Sequence, residues 1–89
     1  MSDLTALPEI GPVSAGQLAA VGIPDADTLR AVGAREAFAR IRADVDPGAC
    51  VRMLTGLECA ARGIRARDLP PEDKAELRDW FRALERKAV

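Results

Sequence analysis

Lys74, Arg78, Arg82 and Arg86 follow one another at i+4 steps, a spacing that stacks four cations into a ridge along one helix. Such a ridge could recognise an acidic partner. Its plainer reading is a solvated face, because Asp79 and Glu85 each lie three residues from Arg82 and can offset its charge for roughly a few tenths of a kcal/mol per pair. Arg62, Arg65 and Arg67 add positive charge just upstream. Gly33 and Arg35 form a second candidate for nucleic-acid contact, since a glycine ahead of a helix lets backbone N–H groups approach a phosphate beside a cation. Enzyme chemistry has little to work with. Histidine is absent, which removes the commonest general base and the commonest metal ligand, and neither a phosphate loop nor a nucleophile motif is present. Cys50 and Cys59 belong to no CxxC or Cys/His cluster, so zinc has no ligand set. The expectation is a protein with no catalytic residues, no metal and no cofactor.

The elements that must position these residues are marked by glycine and proline. Clusters fall at Pro8 to Pro12, Gly22 to Pro24, Gly33, Pro47-Gly48, Gly63 and Pro70-Pro71, with Ala-, Leu- and Arg-rich stretches between them. That is the rhythm of short helices. No stretch sustains period-2 alternation, so the fold class is all-α with five to six short helices and no sheet. The last helix starts after Pro70-Pro71, with Glu72 and Asp73 favoured by the helix dipole. Its apolar stripe is Leu77, Trp80, Phe81, Leu84 and Ala88, and Trp80 reads as a core anchor. The preceding helix runs from Pro47-Gly48 to Gly63 with Cys50, Met53, Leu54, Leu57, Ala60 and Ala61 on its apolar face and Cys59 on the face of Arg52. Its few charges predict the most buried position in the fold. At nine residues' separation the two cysteines lie about 13 Å apart on one helix, beyond the reach of a disulfide.

The first half contains an internal repeat. Leu7-Pro8-Glu9-Ile10-Gly11-Pro12-Val13-Ser14-Ala15 aligns with Leu29-Arg30-Ala31-Val32-Gly33-Ala34-Arg35-Glu36-Ala37 at an offset of 22. Each copy reads as helix, tight hairpin, helix, with a glycine free to take positive φ and a small alanine that lets helix axes approach. The run L-P-x-I-G-P-x-x-A-x-x-L-x-x-V-G-I from Leu7 to Ile23 resembles the helix-hairpin-helix motif of DNA-handling proteins. Asp27 to Ala34, Cys50 with Met53-Leu54 through Leu57-Glu58 to Arg62-Gly63-Ile64, and Asp68-Leu69-Pro70 ahead of Lys74-Ala75-Glu76-Leu77 narrow it. In order and spacing these segments resemble the C-terminal domain of the TfoX/Sxy family, linked to regulation of natural competence for DNA uptake in bacteria, from about Leu4 to Leu84. The resemblance implies a single helical domain over residues 1–89, a tandem helix-hairpin-helix-like arrangement standing alone without the N-terminal TfoX domain, and a non-catalytic regulatory or protein-interaction module.

Charge separates that reading from its alternative, a weak and mainly sequence-independent nucleic-acid-binding domain. Thirteen Lys+Arg against 14 Asp+Glu leave a net charge of −1, which supplies no global field for phosphate. Glu9 stands where the hairpin motif usually has glycine and Val13 where it has lysine, and every side-chain charge from Met1 to Leu29 is acidic. The expected partner is therefore another protein, with nucleic acid second. No apolar run approaches membrane length, and the N-terminus lacks the cationic start of an export signal. With two thiols that cannot pair, this fits the cytoplasm. Nothing in the sequence fixes the oligomeric state.

Overall fold

Five α-helices and one 3-10 turn follow the glycine and proline punctuation in the computed structural model, which describes residues 10–87. They are α1 (Pro12–Ala20), α2 (Ala26–Val32), α3 (Ala34–Asp44), α4 (Val51–Arg62), the 3-10 turn Ala66–Asp68, and α5 (Pro71–Lys87). The described residues contain no strand. The all-α expectation of five to six helices holds.

Two of the helices stop by the same device. At the end of α1, Gly22 takes φ +84° and donates its N–H to the Ala19 carbonyl (3.2 Å), while the Ile23 N–H reaches back to Leu18 (2.9 Å). At the end of α4, Gly63 takes φ +73°, with bonds from Gly63 to Ala60 (3.1 Å) and from Ile64 to Cys59 (2.9 Å). Both are Schellman terminations, in which a left-handed glycine satisfies the last carbonyls and the following apolar residue turns inward. Ile23 is fully buried and Ile64 packs against the core.

Between α2 and α3 there is no loop at all. Gly33 alone ends one helix and begins the next: its N–H donates to Leu29 (2.8 Å) and its carbonyl accepts from Ala37 (3.0 Å). This requires φ +92° and ψ 152°, a region open in practice only to glycine. Gly11, its partner in the repeat, behaves otherwise. It caps α1 with φ −96° in ordinary extended backbone, so the expected positive φ is absent there. Leu7, Pro8 and Glu9 of the first copy lie outside the described residues.

The core is built where α3 crosses α4. Ala34, Ala37, Phe38 and Ile41 recur at i, i+3, i+4 and i+7 on α3, and all are buried. From α4, Leu54, Leu57, Cys59 and Ala60 are buried in the same core, and α4 is the central helix as predicted, touching α2, α3, α5 and the 3-10 turn. Those neighbours explain one correction. Cys59, placed on the face of Arg52 and away from the apolar stripe, is fully buried because α4 is covered on more than one side. Cys50, assigned to the apolar face, is exposed: it is the N-cap of α4, in extended backbone and outside the helical periodicity. No disulfide joins the two.

Candidate interaction surface

Helix α5 carries five acids and a ridge of cations, and the fold uses them differently. Its apolar stripe seats it on the core, with Leu77 buried and Trp80, Phe81 and Leu84 half-buried. The Phe38 ring meets Trp80 at 6.2 Å and Phe81 at 5.8 Å, both edge to face, an arrangement that fixes the rotation of α5 about its axis. Ala88, the predicted end of the stripe, lies outside the described residues. With that rotation set, three of the helix's acids reach arginines of other helices: Asp73 bonds Arg62 at 2.8 Å, Glu85 pairs with Arg42 at 3.5 Å, and Glu76 pairs with Arg35 at 4.0 Å. Arg42 also lies over the Phe81 ring at 5.3 Å.

The cations go the other way. Arg78, Arg82 and Arg86 are exposed and Lys74 is half-buried, and among the described residues none of the four has an ion-pair partner. The expected offset of Arg82 by Asp79 and Glu85 does not occur, because Glu85 is drawn across to Arg42 and Asp79 makes no pair within the described residues. Arg65 and Arg67, beside the 3-10 turn, are exposed and likewise unpaired there. Arg62 leaves that upstream cluster. Its guanidinium is bracketed by Asp73 and by Glu58 of its own helix (2.6 Å), and those two carboxylates, Asp73 foremost, hold its proton more firmly than usual.

Gly33 and Arg35 border a different feature, an open cleft of about 670 Å³ between the start of α3, the end of α4 and Trp80. Gly33 provides no side-chain cap, so the first N–H groups of α3 lack intrahelical partners. The cleft is nonetheless a poor phosphate site. Arg35 faces Glu76 and Arg62 is held by two acids, while Glu36, Glu58 and Glu76 all line the walls, so an anion would have to displace or sit among three carboxylates. Gly33 and Arg35 thus line this cleft with Glu76 and Trp80 of α5, and none of the four ridge residues lines it. Among the described residues no group of three or more His, Cys, Asp or Glu side chains could hold a metal ion, and no helix is long and apolar enough to cross a membrane.

What the sequence reading missed is the set of cross-helix pairs. The local pairs Glu36–Arg40 (2.9 Å) and Glu58–Arg62 carry an i, i+4 signal, whereas Asp73–Arg62, Glu76–Arg35 and Glu85–Arg42 need the helix packing to be known.

Comparison with known proteins agrees with the helical architecture. Residues 1–81 match the TfoX C-terminal domain. The chain belongs to that family. No curated protein matches the chain. Among solved structures it is similar to an uncharacterised protein from Listeria monocytogenes in a triclinic crystal form, at 38% identity and a TM-score of 0.91, with 94% of each chain covered. A tetragonal form of a Listeria monocytogenes protein of unknown function gives 38% identity and a TM-score of 0.87 over 91% of this chain and 98% of that one. At that identity the likeness extends to the whole TfoX C-terminal helical arrangement.

Proposed function

We propose that this TfoX C-terminal domain is a non-catalytic regulatory module that acts in the cytoplasm by binding another protein, in the manner implied for competence regulators. The observation that supports this reading is how charge is used on α5: three of its five acids, Asp73, Glu76 and Glu85, are engaged with arginines of α3 and α4, and its ridge of cations is left without ion-pair partners among the described residues. A folded domain that leaves like charges together on one rigid face accepts a repulsive cost that an oppositely charged partner would relieve. Nucleic-acid binding through the second hairpin has less support, because Arg35 already faces Glu76 and carboxylates line the cleft.

The experiment is affinity capture from native cells with the wild-type chain and with Arg78→Glu/Arg82→Glu, each checked by circular dichroism. A protein retained by the wild type and lost by the variant is the expected result. Failure of the wild type to retain any protein above background, or recovery of nucleic acid alone, would overturn the reading.

A further inference from the structure

We infer that the ridge on α5 binds an acidic helical segment of its partner, one whose carboxylates repeat at i and i+4. This rests on the protein-interaction reading above and names the chemistry of the partner. Successive ridge residues are four apart, so their Cα atoms step by about 6 Å along the axis and the four span about 18 Å. Carboxylates repeating every four residues on a second helix step by the same distance. Two such helices can therefore meet charge for charge along their i±4 ridges, the rows that interlock when helices pack.

Rigidity favours the match. α5 is pinned by Leu77 in the core and by the Phe38 contacts to Trp80 and Phe81, so the ridge keeps its register before any partner arrives. Sign pattern selects the class of partner. Asp79 and Glu72 are exposed on the same helix as the cations and pair with nothing among the described residues. Against a phosphodiester chain, where every repeating unit is an anion, these carboxylates repel without compensation. A protein helix can place a lysine or an amide donor opposite them and so turn the same positions into specificity.

The test titrates the full chain with three probes: an alanine-rich helical peptide carrying glutamate at i and i+4, a peptide of identical composition with its glutamates scattered around the helix, and a short DNA duplex. Binding is followed by NMR shift changes. The aligned peptide is expected to bind at least about tenfold tighter than the scattered one in low salt, to shift the amides around Arg78 and Arg82, and to weaken as salt rises. Arg78→Gln/Arg82→Gln and Arg78→Glu/Arg82→Glu are expected to lower that affinity in order of their charge change, with spectra otherwise of the folded protein. Equal binding of the two peptides, tighter binding of the duplex than of either, or indifference to both substitutions would overturn the inference. If affinity capture still retains a protein that ignores these substitutions, the interaction reading stands and the ridge is not its site.

Discussion

The two hairpin glycines align residue for residue in the sequence, yet they do different work. Gly33 is the whole connection between α2 and α3, and the geometry of a joint with no spare residue forces φ +92° with ψ 152°. Gly11 only opens α1, and at φ −96° any residue could stand there. Their surroundings differ in the same direction. Past Gly33 the chain dives into the core through Ala34, Ala37 and Phe38; past Gly11 it surfaces, with Val13 74% exposed. A repeated motif thus specifies a helix start, and of the two glycines the conformational freedom is used at Gly33, where one residue both ends a helix and begins the next.

The largest expected effect breaks the comparison at the residues that follow each glycine. Phe38→Ala, five positions after Gly33, removes the ring that Trp80 and Phe81 both pack on and is expected to destabilise by about 3–5 kcal/mol, whereas Val13→Ala should stay within about 0.5 kcal/mol. Urea unfolding of both variants checks this, and similar midpoints would mean that α3 is not the core helix. Leu57→Ala, in the buried core of α4, should cost about 2–5 kcal/mol by the same measurement.

Smaller effects sharpen the contrast between the glycines themselves. A Cβ at either position meets nothing within 4 Å, so only backbone conformation separates them. Gly33→Ala is expected to cost about 1–3 kcal/mol. Gly11→Ala should lie within about 0.5 kcal/mol of the wild type. Equal thermal shifts would show that the junction relaxes.

The smallest effect concerns the start of α2. Asp25 caps it by accepting from the Thr28 N–H (2.8 Å) and hydroxyl (2.7 Å), and these bonds lower its carboxyl below the usual 3.8. Neither Gly11 nor Gly33 has a side chain to do the same. A lowered acid contributes stability above its unfolded value, and that contribution fades as pH falls through the folded one. Asp25→Ala should therefore melt below the wild type at neutral pH and converge with it in acid. A melting difference that persists unchanged to pH 2 would assign the loss to packing.

How much of this was legible in the sequence varies with the distance over which each feature is determined. The end of α4 and the start of α5 were, because glycine and proline act within a turn, as Gly63 and Pro70-Pro71 do. The core position of Leu57 followed from periodicity. The cysteines came out reversed because a single-face pattern cannot describe a helix with neighbours on several sides, nor a residue that stands just before the helix. Lys74, Arg78, Arg82 and Arg86 were readable as a ridge, but their lack of ion-pair partners among the described residues was not. It depends on Glu85 preferring Arg42 to Arg82, and no local spacing encodes that choice. The aromatic contacts of Phe38, which set the rotation of α5, join residues about forty positions apart.

The contrast between the cysteines gives the molecule an internal stopwatch. Cys50 meets solvent in the native state, and Cys59 does so only when α4 leaves its neighbours. A thiol reagent added in excess should therefore tag the chain in two phases, the first timing the chemistry of an open site and the second timing how often the central helix opens.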